Sequence, residues 1–501
     1  LEQGSWNRAL AELPDPLPIA PAARAFRGAV RPPGSKSLTN RALLLAALAR
    51  GRSVLRGALL EADDAERMIA AITTLGATVE KLPGGELGVT GVNGRWRVAP
   101  EGVRLDLNNA GTATRFLAAA SLLSPAPVVV DGNARMRERP IGELASALVK
   151  LGAGVEYVPT PGGKPLCPPV RVTPPERAAL CETAAHMLEM PTTQSSQFIS
   201  ALLMIGPWLE SGLTIRLTGA ATSGSYIRMT LGLLEKLGAV VRTSDDLRVM
   251  RVAPPTAGVT GLARSGGPRL RLAGTEEPPA GPREPGLEAF TYDVEPDASG
   301  ATYFWAAAAL VPGATCDVLD LPEQSLQGDA QFVTLLEEMG CIEERPGGER
   351  TPVRITGPRR LKGIETDMAD MPDAAMTLAV VAAFAEGPTE IRGIRTLKVK
   401  ESDRGAAVRD ELAKIGVKVE FPLGGDEDAM RVTPPKGGVD CSAGCPRVEF
   451  ETYHDHRMAM SLALVGLRRP NVWIKDPGCV GKTYPGYWRD LGEVVGKLPN
   501  G

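Results

Sequence analysis

The sequence predicts an α/β chain built from a repeated module, and three observations predict it. Apolar helical runs alternate with short strand-like runs along most of the length. The helical runs recur at one long, fixed offset. A second set of helical runs closes on glycine, the common helix stop.

Six Ala/Leu-rich windows carry the repeat. They are NRALLLAAL from Asn40, TRFLAAASL from Thr114 and SQFISALLM from Ser196, then TYFWAAAAL from Thr302, MTLAVVAAF from Met376 and RMAMSLALV from Arg457. Asn40 to Thr302 and Thr114 to Met376 each span 262 residues, and Ser196 to Arg457 spans 261. The chain therefore reads as two halves of three units, each unit a supersecondary module of roughly 75–100 residues. Small, polar or acidic residues precede every window: GSKSLT, NNAGTA, TTQSS, PDASGA, PDAA and YHDH. That is the chemistry of a helix start. The windows are apolar nearly all round, so these helices are expected to be buried.

Second helices follow in ERMIAAITTLGA, IGELASALVKLGA, YIRMTLGLLEKLGA, FVTLLEEMGC and RDELAKIGV. Strands are expected at 155–158, 213–219, 239–244 and 418–421. Two Pro/Gly-rich stretches, 159–177 and 253–290, break the rhythm and read as surface excursions or insertions. The first twenty or so residues read as a loose arm.

Composition narrows the function classes. Hydrophobic content of 43% and charged content of 23% are those of a globular chain. A net charge of −3 gives no general nucleic-acid footprint. Aromatics at 4% argue against base-stacking surfaces. No apolar run has membrane-spanning length, and the start lacks the order of a signal peptide. The seven cysteines are odd in number and scattered, which points to a reducing compartment. Cys441 and Cys445 could clip a metal, but with three histidines in the chain and no second pair nearby no structural metal is expected.

The chemistry concentrates at the helix starts. A helix amino end offers unpaired N–H groups and partial positive charge. Cations cluster there: Lys36, Arg41, Arg115 and Arg457. Others lie in NARMRERP (Arg135, Arg137, Arg139), in LKVKESDR (Lys398, Lys400, Arg404) and at Lys482. GSKS is not a phosphate loop of the Walker type, because Gly28 has the wrong spacing and Pro32 and Pro33 intrude. Singly, each feature is an ordinary cap, turn or solvated arginine. Jointly, at repeating positions, they point to small substrates bearing several phosphate or carboxylate groups. The acids are Asp297, Asp373, Glu401 and Asp455. Capping is the simpler account of Asp297 and Asp373, and an ion pair is the simpler account of Glu401. A carboxylate among cations also suits general acid–base work.

Taken together, PGSKSLTNRALLLAALA, NAGTATR, RMRERPIG, SSQF, PDAAMT, VKESDR, DHRMAM and KTYP resemble the enolpyruvyl-shikimate-phosphate synthase family, from about Pro32 to Tyr487. The resemblance implies two similar inverse α/β-barrel domains, each of three βαβαββ units, with a cleft between them. The first domain would comprise 1–35 and 296–501, and the second 36–295. It implies transfer of the enolpyruvyl group of phosphoenolpyruvate to the 5-hydroxyl of shikimate 3-phosphate, through a tetrahedral addition–elimination intermediate. No metal or organic cofactor is implied, nor a nucleic-acid or membrane partner. A cytoplasmic monomer is implied.

Carried over by motif, shikimate 3-phosphate would meet Lys36, Ser37, Arg41, Ser195 and Ser196. It would also meet Gln197, Ser223, Asp373 and Lys400. Arg41 would hold its carboxylate, the serines and Lys400 its phosphate. Phosphoenolpyruvate would meet Lys36, Gly111, Arg135, Gln197, Arg404, Arg457 and Lys482. Asp373 is the expected base at the hydroxyl, and Glu401 and Lys36 are both candidates for protonating the methylene. The pattern departs from the family at Asn108, Phe116, Gly224, Ser225 and Thr396. Gly111 would leave room for the inhibitor glyphosate, and Phe116 one turn on leads to an expectation of partial sensitivity. Two rivals share the fold. The sister enzyme that uses UDP-N-acetylglucosamine carries a reactive Cys in the loop corresponding to 131–140, where this chain reads DGNARMRERP. A non-catalytic anion-binding protein would have a broken acid–base set, whereas Asp373, Glu401 and Lys36 are all present. A third alternative, one domain of a larger multifunctional chain, stays open.

Overall fold

A β–α–β–α–β–β module recurs through the computed structural model, which describes residues 9–22, 24–176, 186–255, 285–345 and 352–496. The contacts gather the chain into two units, Lys36–Val294 on one hand and Leu1–Ser35 with Glu295–Gly501 on the other.

In the unit 36–294, helices α1 (Lys36–Leu48), α3 (Gly111–Ala120) and α5 (Ser196–Ile205) are the three apolar windows. Helices α2 (Asp63–Thr74), α4 (Gly142–Lys150) and α6 (Gly224–Lys236) follow one strand later. Each module makes a four-stranded sheet of one order. Strands Val103–Asp106 and Val128–Asp131 are parallel, as a helical crossover requires. The hairpin Gly154–Tyr157 and Val170–Thr173 then adds antiparallel, its last strand inside. The sheet of His186–Met190, Leu213–Leu217, Val240–Thr243 and Val249–Ala253 repeats this. In the remaining sheet the first position is filled from the far end of the unit, by Thr291–Asp293 beside Arg52–Arg56.

The other unit carries α7 (Ala298–Leu310), α8 (Phe332–Glu338), α9 (Ala375–Ala382), α10 (Arg404–Ala413), α11 (His456–Ala463) and α12 (Tyr487–Gly496). All 13 residues of α7 are buried. Its indole at Trp305 donates to the Val353 carbonyl at 3.1 Å, which satisfies the polar end of a buried ring. Arg27–Val30 occupies the first position of the sheet that begins this unit, parallel to Thr315–Val318. Five of the second helices end where the sequence stops them. Gly76, Gly152, Gly238, Gly340 and Gly416 all have positive φ, between 80° and 102°.

Three sequence expectations need correction. The amino-terminal residues are not wholly a loose arm: Leu17–Ile19 pairs antiparallel with Val472–Ile474, and Leu17 is buried. The stretch 159–177 is not wholly an excursion, because it contains the sheet strand Val170–Thr173. Within 253–290 the part 256–284 lies outside the described residues, as does residue 177. Residues 287–290 are built into the unit, with Ala289 N–H on the Arg50 carbonyl and Arg50 N–H on that of Leu287.

Candidate active site

The unit 36–294 presents the amino ends of α1, α3 and α5. Lys36 opens α1 and its Nζ lies 3.4 Å from Asp64 in the first turn of α2. One turn on, the Arg41 guanidinium is 2% exposed. It donates to Thr230 Oγ1 at 2.8 Å, to the Ser37 carbonyl at 2.9 Å, to the Tyr226 carbonyl at 3.2 Å and to Ser200 Oγ at 3.4 Å. The Phe116 ring supports it from below, 5.2 Å to the centroid. All these partners are neutral. No carboxylate lies at ion-pair distance among the described residues. Burial accordingly pulls Arg41 down to about 10, against the Coulombic effects of Tyr226 and Tyr292.

The starts of α3 and α5 are joined by Gln197 Nε2, which donates to Thr112 Oγ1 at 3.2 Å. Ser195 caps α5, its Oγ accepting from Gln197 N–H at 3.2 Å. Ser196 is buried in the first position of that helix. Ser223 precedes α6 in the left-handed region, φ 48°.

The arginines of RMRERP separate by role. Arg137 pairs through two nitrogens with Asp131 (2.9 and 3.1 Å), and that hydrogen bond raises its basicity. Arg135 pairs with Glu138 at 3.0 Å and is about a third exposed. Arg115, counted among the site cations, instead holds this loop, donating to the Pro140 carbonyl at 2.9 Å. Arg139 is the one turned to the amino end of α3. It is buried, and it donates to Asn109 Oδ1 at 3.0 Å. Its Nε has no hydrogen-bond partner among the described residues. A methyl at Gly111 would stand 2.5 Å from its Nη2, so the space at Gly111 is not open: Arg139 fills it.

In the other unit the expected residues converge on one buried charge network. Asp373, in the 3₁₀ turn before α9, accepts from Arg404 Nη1 and Arg457 Nη2, both at 2.9 Å, and pairs with Lys400 at 3.0 Å. Its carboxylate engages three cations, and Asp297 caps α7 by accepting from Gly300 N–H at 3.1 Å. Glu401 pairs with Arg404 at 3.0 Å and with Lys482 at 3.1 Å. Burial pulls Arg404 down, but Asp455, Glu401 and Asp373 outweigh it and hold its proton firmly. Burial lowers Lys400, with Asp373 opposing.

Asp455, named among the acids but given no site role from the sequence, both caps α11, accepting from Arg457 N–H at 3.0 Å, and binds Arg404 Nε at 2.8 Å and Ser402 Oγ at 2.9 Å. Sequence reasoning missed other members. Tyr303 OH lies 3.3 Å from Arg457 Nη1, and burial pushes it up to about 12. Asp329 is a buried acid near Asp373, Arg457 and Asp297. Asp64 had a signal of its own, an acid pair in ADDAERM, which reads equally as helix-dipole chemistry. Among the described residues no group of three or more His, Cys, Asp and Glu could hold a metal ion.

The family model described as EPSP synthase (3-phosphoshikimate 1-carboxyvinyltransferase) matches residues 21–262 and 274–491. The chain belongs to the EPSP synthase family. A 3-phosphoshikimate 1-carboxyvinyltransferase of Laribacter hongkongensis is 40% identical over 478 residues, 94% of this chain and 97% of the relative. The chloroplastic enzyme of that name from Brassica napus is 37% identical, covering 94% of this chain and 84% of the relative. Among solved structures, EPSP synthase from Acinetobacter baumannii superposes with TM-score 0.70 at 26% identity, over 95% of this chain and 97% of its own. The enolpyruvyl transferase NikO from Streptomyces tendae shares the fold, with TM-score 0.66 at 17% identity over 96% and 98% of the two chains. No helix of the described residues is long and apolar enough to cross a membrane.

Proposed function

We propose that this chain transfers the enolpyruvyl group of phosphoenolpyruvate to the 5-hydroxyl of shikimate 3-phosphate and releases inorganic phosphate. Membership of the EPSP synthase family supports the reaction. The observation that carries the choice of acceptor is Arg41. A guanidinium buried among neutral oxygens is costly unless an anion completes it. The ring carboxylate of shikimate 3-phosphate supplies that anion, with Ser37, Ser195, Ser196, Gln197, Ser223 and Lys400 as further contacts.

On the phosphoenolpyruvate side, Lys36, Gly111, Gln197, Arg457 and Lys482 receive phosphate and carboxylate. The burial of Arg139 against Gly111 favours it over Arg135 as the arginine of that loop. Arg404, tied to Asp373, Glu401 and Asp455, orients those carboxylates as well as adding charge. Asp373 takes the proton from the 5-hydroxyl as its oxygen bonds to C2 of phosphoenolpyruvate. Glu401 or Lys36 protonates C3, which gives the tetrahedral adduct. Loss of a C3 proton with expulsion of phosphate from C2 then regenerates the double bond, and the chain's own cations stabilise the leaving anion. The chain works as a monomer, and its free cysteines fit a reducing cytoplasm.

Phosphate release measured with phosphoenolpyruvate and shikimate 3-phosphate tests this directly. Release with UDP-N-acetylglucosamine and none with shikimate 3-phosphate would overturn it. Lys36→Met and Asp373→Ala are each expected to lower turnover by about 100-fold or more in folded protein, and near-normal turnover in either removes that residue from the mechanism.

A further inference from the structure

Lys482 stands at the end of a short turn, Pro477–Lys482, and three contacts from the amino-terminal arm fall on that turn and on the residues leading into it. The residue opening it, Asp476, has φ 45°. A left-handed non-glycine residue persists when its surroundings impose it. Its N–H is taken by Asp15 Oδ1 at 2.9 Å, and its carboxylate by His454 Nδ1 at 2.7 Å. The strand entering the turn, Val472–Ile474, is paired with Leu17–Ile19, with Leu17 opposite Ile474. At the far end, Leu10 Cδ1 lies 3.0 Å from where a methyl on Gly481 would be, next to Lys482 itself. Leu10 and Leu13 are half-buried against the core of the unit. The Pro477 carbonyl accepts from Trp488 Nε1 at 2.9 Å, so the turn is fixed on its inner side by α12 and on its outer side by the arm.

We propose that the amino-terminal arm is a positioning element for Lys482, with Asp15 and Leu10 as the residues that act. The hydrogen bond that Asp476 N–H donates to Asp15 holds Asp476 in its left-handed state, and Leu10 closes over Gly481. Together they set the direction in which Lys482 leaves the turn toward Glu401, 3.1 Å away. The role of Lys482 as a phosphoenolpyruvate contact rests on the proposed function above.

The test compares the full chain with Asp15→Ala and Asp15→Asn by hydrogen exchange and by steady-state kinetics. Asn keeps an oxygen that can accept from Asp476 N–H, and Ala does not. In Asp15→Ala, amides of 477–482 are expected to exchange faster. Its KM for phosphoenolpyruvate is expected to rise about 5- to 10-fold, the worth of one hydrogen bond, with the acceptor KM unchanged. Asp15→Asn is expected to restore both. Unchanged exchange in Asp15→Ala would overturn the proposal, as would faster exchange with an unchanged phosphoenolpyruvate KM, or an equal rise in both KM values. A parent protein that turns over neither substrate would instead sink the proposed function, while the exchange comparison would still decide whether Asp15 holds the turn.

Discussion

Replacing Asp329 by Asn is expected to change the pH dependence of folding in a calculable way. The Asp329 carboxyl is 2% exposed, and its Oδ1 has no hydrogen-bond partner among the described residues. Burial, reinforced by the charge of Asp373, pushes it from an ordinary 3.8 up to about 7, with Arg457 opposing. Between those two values the folded chain keeps a proton that the unfolded chain has released. The group therefore favours folding fully below 3.8, and this contribution is lost as pH rises to about 7. A window of about three pH units, at about 1.4 kcal/mol each, sets a ceiling of about 4 kcal/mol. Asn is a neutral near-isostere at every pH. Asp329→Asn is thus expected to exceed the parent by up to about 4 kcal/mol at pH 8 and to match it within about 0.5 kcal/mol at pH 4. Urea unfolding at a series of pH values measures the difference. A parent more stable than the variant at pH 8 would mean that Asp329 is ionised and paired in the folded protein, and the reasoning would fall.

Two further outcomes follow from the unit 36–294. Phe116→Leu removes the ring face under Arg41, an interaction worth about 0.5–2 kcal/mol, so the acceptor KM is expected to rise about 2- to 30-fold while the phosphoenolpyruvate KM stays; Phe116→Tyr should retain the parent value, and an unchanged acceptor KM in the Leu variant would reduce the ring to core filling. Arg139→Gln is expected to weaken phosphoenolpyruvate at least about 10-fold, with Arg135→Gln near parent, and the reverse order in initial-rate kinetics would return the role to Arg135.

Much of the fold was legible because its signals are local. Ala/Leu windows that are apolar all round can only be buried helices, and glycine after each second helix marks a left-handed stop. Leu17–Ile19 was not legible: three residues with a proline among them have no periodicity, and their partner lies at the other end of the chain. Val170–Thr173 was hidden by the prolines on both sides. The charge network was half legible. Asp373, Lys400, Glu401, Arg404, Arg457 and Lys482 stand in recognisable motifs, and the structure joins all six. Asp329 sits in a plain QGD, and its burial near Asp373 in the folded chain is what makes it unusual. Arg135 and Arg139 are alike in sequence. They differ because Glu138 engages one, and Gly111 leaves space for the other.

The strands Leu17–Ile19 and Arg27–Val30 leave the ribosome before everything they pair with. Arg27–Val30 waits for Thr315–Val318, and Leu17–Ile19 for Val472–Ile474. At about 5–20 residues per second, the interval between Leu17 and Ile474 is roughly 20–90 s of synthesis. The strands of the unit 36–294 named above pair with one another and do not have to wait for Thr315 or Val472. These two strands are thus made long before they can pair, and for that interval the nascent chain carries unpaired strand edges that a chaperone has reason to cover.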